Sequence, residues 1–198
     1  MRDRAGRIGL LIAALSLGAP AMATAEWQIK PFVGLTLGGD TTLVDFDNAA
    51  DKTHVVFGVG AVRLGEIFGI EGDVSRAPGF FESGNLVLGG SVTTLTGNLV
   101  VAVPRRVAGY GLRPYLVAGA GLMRANIEDD FNAFPVKVNF GVVDLGGGTS
   151  GFLSDRVGVN WDVRWFRSVG SGSGLRGISF GSEKLSFWRA GMALAIRY

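Results

Sequence analysis

The chain of 198 residues is 47% hydrophobic and 18% charged, with 32 glycines and no cysteine. Its length suits one domain, and the missing thiols exclude both a disulfide framework and a lipid-bearing N-terminal cysteine. The formal net charge of +2 equals the contribution of Arg2, Arg4 and Arg7 against Asp3. The rest of the chain is therefore near neutral and lacks the electrostatic signature of a nucleic-acid partner.

In chain order, those three arginines precede an apolar stretch over 8–17 and two small-x-small sites, Ala21-Met22-Ala23 and Ala23-Thr24-Ala25. The pattern predicts a secretory signal peptide over 1–25, cut before Glu26, and a single mature domain over 26–198. The mature region has no run of about 20 apolar residues, so a transmembrane helix is not available. It alternates instead with a period of two, the signature of strands with one apolar wall.

Eight strands are predicted. The first, 27–37, sets Trp27, Ile29, Val33 and Leu35 against Gln28, Lys30 and Thr36, with Pro31 implying an irregular start. The second, 54–63, sets Val55, Phe57, Val59 and Ala61 against Gly58 and Gly60. The third, 68–75, sets Phe68, Ile70 and Val74 against Glu71, Asp73 and Ser75. The fourth, 91–103, sets Leu95, Leu99, Val101 and Val103 against Thr94, Thr96 and Asn98. In the fifth, 114–124, Leu116, Ala118, Ala120 and Leu122 oppose Gly119 and Gly121. The sixth falls within 138–152 and is the least regular, being interrupted by Gly146-Gly147-Gly148. The seventh is the cleanest: Val157, Val159, Trp161, Val163 and Trp165 oppose Gly158, Asn160, Asp162 and Arg164. The eighth, 184–198, puts Trp188, Met192, Leu194, Ile196 and Tyr198 opposite Arg189, Gly191, Ala193, Ala195 and Arg197.

The connections alternate between short (64–67, 105–111, 154–156) and long (38–52, 76–90, 125–137, 169–184), as in an antiparallel up-and-down transmembrane β-barrel. A lipocalin-type barrel would turn the same pattern inside out. Lipid on the outside is favoured because the apolar face carries Trp27, Trp161, Trp165, Trp188 and Tyr198, suited to an interfacial aromatic girdle. The opposite face carries Lys30, Glu71, Asp73, Asp162, Arg164, Arg189 and Arg197, charges of both signs that can pair within a narrow lumen, plug it and fix strand register. An eight-stranded barrel is filled by its own side chains.

The segments RPYLVAGAGLM at 113–123 and VGVNWDVRWF at 157–166, with the aromatic C-terminal strand, resemble the OmpA-like eight-stranded outer-membrane barrels of the opacity-protein and porin-family type. The resemblance covers most of 26–198. It implies residence in the bacterial outer membrane, contact with outer-membrane lipid, and recognition of Tyr198 by the barrel-assembly machinery during biogenesis, although the family usually ends in Phe. With no peptidoglycan-binding domain after the barrel, cell-wall tethering is not implied. Fold resemblance says little about activity.

Chemical motifs are sparse. His54 is the one histidine and reads as a rim residue rather than a catalytic base. Gly172-Ser173-Gly174-Leu175-Arg176-Gly177 matches GxGxxG by letters but reads as a loop without the required helix. Asp40, Asp45, Asp47 and Asp51 with Asn48, and the run Glu128-Asp129-Asp130, read as solvated loop acids rather than a metal site. Phe80, Phe81, Phe131 and Phe134 are loop aromatics that either make contacts or cover the mouth. The expectation is a structural, surface-exposed, non-enzymatic barrel without cofactor or metal, with four exterior loops available to an extracellular ligand. A narrow pore or small-molecule carrier, and a lipid-modifying outer-membrane enzyme, are the alternatives.

Overall fold

Alternation of this kind leaves every strand with unpaired backbone edges, and closing the sheet on itself removes them. The computed structural model, which describes residues 25–41, 53–80, 88–108, 111–129, 136–174 and 185–198, closes in that way. Its strands are β1 (Glu26–Thr41), β2 (His54–Leu64), β3 (Phe68–Pro78), β4 (Leu88–Ala102), β5 (Leu112–Asp129), β6 (Val136–Phe152), β7 (Val157–Gly174) and β8 (Leu185–Arg197). Each pairs antiparallel with its chain neighbours, and β8 returns to β1. Among the described residues no helix is long and apolar enough to cross a membrane.

The ladder fixes the tilt. From Trp27 the pairing runs through Arg63, Ile70, Leu99, Ala118, Leu145, Trp165 and Trp188, and re-enters β1 at Leu37. A circuit that returns further along its starting strand requires inclined strands, as barrel closure demands. The side chains on this circuit point outward. Phe68, Leu99, Leu116 and Leu122 are 72%, 67%, 66% and 63% exposed, members of an apolar band that only lipid can cover at such extent. The lipocalin arrangement is thereby inverted, since the charged face is the buried one.

Two irregularities have visible causes. The β1–β2 ladder runs unbroken through Pro31, whereas the β1–β8 ladder skips Lys30 and Pro31, so the missing N–H falls on the β8 side. The β1–β8 register shifts between Leu37 and Gly39, at Gly38 with φ of 47°. A bulge with its extra residue in the left-handed region favours glycine there.

Strand ends differ from the sequence reading. β5 and β7 each have 18 residues and β6 has 17, so much of the expected long connections over 125–137 and 169–184 is ladder. Pairing continues as far as Leu88↔Asp129 and Ile127↔Val136. Beyond the apolar band the alternation reverses, with Ala125, Val138 and Phe140 inward and Arg124, Asn126 and Asn139 on the outward set, so the outer-wall pattern ends while the ladder continues. Asp40, Glu128 and Asp129 are consequently strand residues, as are Gly172, Ser173 and Gly174 of the GxGxxG match. Asp45, Asp47, Asn48, Asp51, Asp130 and the rest of that match lie outside the described residues, as do Phe81, Phe131 and Phe134.

Candidate functional site

The lumen is built in three levels. In the middle, Lys30 on β1 and Arg164 on β7 converge on Glu71 of β3: Lys30 Nζ lies 2.6 Å from Glu71 Oε2 and Arg164 Nη1 lies 2.5 Å from Oε1. Asn98 Nδ2 of β4 donates to the same Oε1 at 3.1 Å. Arg164 also reaches Asp162, two residues back on its own strand, through Nε at 3.2 Å and Nη2 at 2.8 Å. The Tyr115 hydroxyl donates to that carboxylate at 3.1 Å and accepts from Asn160 Nδ2 at 2.8 Å. Ser150 Oγ in turn donates to Asn160 Oδ1 at 2.6 Å.

A second pair stands beside the first. Arg189 on β8 meets Asp73 on β3 with Nη1 to Oδ1 at 2.9 Å and Nη2 to Oδ2 at 3.2 Å, a two-point clasp. Its Nη1 also donates to Ser75 Oγ at 3.1 Å. Its guanidinium lies between the rings of Phe32 and Phe166, 4.6 and 4.9 Å from their centroids. Arg164 and Arg189 are among the most completely buried side chains. Such burial of charge is costly unless paired, and these two are paired.

The sequence reading missed two members of this level. Tyr115 and Asp144 both face the lumen and are buried. Asp144 lies 4.0 Å from Arg164 Nη1, and neither of its carboxylate oxygens has a hydrogen-bond partner. A lone Asp in the run Val142-Val143-Asp144-Leu145 was the available signal. It was obscured because its inward neighbours Phe140 and Val142 are apolar.

The polar lumen expected from the charges is only the central level. Toward the long connections the interior is apolar, with Val56, Val92, Met123, Phe140, Val142, Phe166 and Phe187 in one buried cluster. Phe80 completes this lid: it is buried, 5.2 Å from the Phe187 ring and 5.5 Å from His54. Toward the short turns a second cluster joins Val62, Leu64, Val100, Ala102, Tyr115 and Val117. The inward side chains of β2 are apolar, and a strand apolar on both faces hides which face is the lumen. Within the charge level, a cavity of about 10 Å³ among Lys30, Asp73, Arg164 and Arg189 has room for about one water. Large side chains are fitted against glycine: a Cβ at Gly148 would come within 2.6 Å of the Tyr115 hydroxyl.

Arg197 does not join the central network. It ends β8 at the short-turn mouth, where its Nε lies 2.8 Å from Glu26 Oε2 and Arg105 pairs with the same carboxylate. Nearby, buried Arg113 donates to the carbonyls of Gly65 and Glu66, both at 2.8 Å, and of Val103 at 3.0 Å, tying together two short turns. Of the aromatic residues, Trp27, Trp161, Trp188 and Tyr198 are exposed on the outer face. Trp165 is half-buried and lies directly opposite Trp188. Tyr198 N–H donates to the Trp27 carbonyl at 2.9 Å. His54 sits at the β2 end, its backbone N–H donating to Thr36 Oγ1 at 3.3 Å. Among the described residues no cluster of His, Asp and Glu could hold a metal.

A closed antiparallel barrel with a lipid-facing wall and a filled interior is a small integral membrane barrel. The sequence model of the outer membrane protein beta-barrel domain matches residues 10–168, and the chain belongs to that family. It is an integral outer-membrane protein. Solved structures agree in fold. The Neisserial surface protein A aligns with a TM-score of 0.60 at 10% identity, over 85% of this chain and 96% of that one. OprG from Pseudomonas aeruginosa gives 0.54 at 12%, over 89% and 97%. The attachment invasion locus protein Ail of Yersinia pestis gives 0.52 at 13%, over 87% and 99%. At such identities the likeness concerns fold alone. No curated protein matches the sequence.

Proposed function

We propose that this outer-membrane barrel is a non-conducting, non-enzymatic scaffold that carries recognition on its four exterior connections. The observation behind the reading is the filled interior: an apolar level, a paired charge level and a second apolar level succeed one another across the lumen. A pore or a carrier needs an open path, whereas the cavity described within the charge level has room for about one water. The charge network acts as a register lock. A one-residue slip of β7 would turn Arg164 from Glu71 toward lipid, at a cost of about 2–4 kcal/mol near the bilayer midplane.

A rigid wall with connections at its outer end is the arrangement on which binding residues are commonly carried. The partners in this reading are outer-membrane lipid around the wall, the assembly machinery at Tyr198, and an extracellular ligand at the connections. The test is topological. An epitope inserted within 42–52 is expected to bind antibody on intact cells, and one inserted within 65–67 only after the outer membrane is breached. The opposite pattern would overturn the reading. For the enzymatic alternative, His54→Ala is expected to leave the cell's lipid profile unchanged, and an altered profile would favour that alternative.

A further inference from the structure

The outward surface at the long-connection end is not uniform. Arg76, Thr93, Arg124 and Asn139 are partners in one continuous row across β3, β4, β5 and β6. All belong to the outward-facing set, and both arginines are exposed. Ser91 and Asn126 form the adjacent pair on the outer side of that row. Arg76 has one weak bond, Nη2 to Ser91 Oγ at 3.5 Å, which leaves most of its five donors for another acceptor. Asn126 Oδ1 is buried without a hydrogen-bond partner. Among the described residues neither Arg76 nor Arg124 is in an ion pair, although Asp40, Glu128 and Asp129 also belong to strands on this side of the barrel, away from the short-turn end. The contrast with that end is direct, since there Arg105 and Arg197 share Glu26.

Immediately toward the membrane centre the same strands are apolar. Val74, Leu95 and Leu122 form the next outward row, exposed by 40%, 56% and 63%. Beyond it, Gly72, Gly97 and Ala120 make a low row, and a Cβ at either glycine would meet open space. The next row, Ile70, Leu99 and Ala118, rises again. One wall therefore offers cationic and neutral donors above a shallow apolar trough. Arginine binds phosphate by paired, planar hydrogen bonds, and a trough in a lipid-facing wall accepts an acyl chain.

We propose that the β3–β6 wall is a binding site for a phosphorylated glycolipid of the outer leaflet. Arg76 and Arg124 take its phosphates, Thr93, Asn126 and Asn139 take sugar hydroxyls, and the Gly72–Gly97–Ala120 trough takes an acyl chain. Elsewhere among the described outward residues at this end, exposed Arg167 is paired in the ladder with Ser186 and lies over the Trp165 ring, with Val169 and Trp188 as its apolar neighbours.

The test uses the full-length protein folded in detergent, with native mass spectrometry reading bound lipid. The probes are an acylated disaccharide with two phosphates, the same lipid with its phosphates removed, and inorganic phosphate. The phosphorylated lipid is expected to bind, and loss of its phosphates to weaken binding by at least about tenfold, as for loss of charge-assisted hydrogen bonds. R76Q/R124Q is expected to lose the same factor, whereas R63Q, at the opposite end and over the Trp27 ring, keeps parental binding. Inorganic phosphate at equal concentration should not displace the lipid. Equal binding of the dephosphorylated lipid overturns the proposal, as does parental binding by R76Q/R124Q or displacement by free phosphate. The lipid comparison on the parent protein decides the matter even if the double variant fails to fold.

Discussion

Arg189 and Asp73 form a pair separate from the Glu71 cluster, joined by two hydrogen bonds and closed off by the Phe32 and Phe166 rings. Removing one member leaves the other charged and buried, so Asp73→Val and Arg189→Met are each expected to cost about 3–5 kcal/mol in urea unfolding from lipid vesicles. The double replacement removes both charges together and should fall within about 2 kcal/mol of the parent. Additive losses would contradict the pairing. Asp144 behaves differently, because its buried oxygens lack hydrogen-bond donors and Arg164 is already held by Glu71 and Asp162. Asp144→Asn is expected to leave the unfolding midpoint unchanged or raise it, since an uncompensated buried charge is itself unfavourable. A fall of more than about 1 kcal/mol would show that the charge itself holds the fold. The inward position of Lys30, Glu71, Asp73, Asp162, Arg164 and Arg189 was legible because each lies opposite large apolar residues. Who pairs with whom was not, since it depends on how far the ladder is displaced after one circuit of the barrel. Arg197 shows the limit: it has the correct face but stands at the mouth with Glu26.

At the level of the strand, the outward wall was readable wherever lipid demands large apolar side chains, and least readable where lipid ends. β5 continues to Asp129 by ladder hydrogen bonds, past the point where its alternation reverses from apolar outward to polar outward, as at Arg124 and Ala125. The inward face was readable where it is polar and unreadable where it is apolar, so Val56, Val62 and Leu64 of β2 gave no hint of two apolar levels. Phe80 joins the outer level from just beyond β3, a contact no alternation pattern records. The lipid-facing assignment carries its own expectation. Leu99 is 67% exposed on the outer face of β4, and Leu99→Arg should cost about 2–4 kcal/mol in a bilayer. Thr93→Arg, at the next outward position beyond Leu95 and beside Arg76 and Arg124, lies nearer the headgroups and should cost about 0–1 kcal/mol. Both costs are read from urea unfolding in lipid vesicles. Equal costs would mean that the outer wall does not meet a graded bilayer interior.

For the whole molecule, the cyclic ladder, the apolar exterior and the three-level interior act together. Closure leaves no exposed sheet edge within the lipid, and in the proposed reading the interior levels leave the circle without an open bore. The fold as a class was legible from alternation, chain length and the aromatic positions. The packing of the interior was legible only in part, because it comes from side chains that meet across the barrel from strands far apart in sequence; that this packing seals the barrel is the proposal. The measurement that tests it most directly is planar-bilayer conductance of the purified, folded protein. The account predicts a baseline current without discrete steps for the parent. Reproducible single-channel steps, scaling with salt concentration and present only in folded preparations, would contradict it.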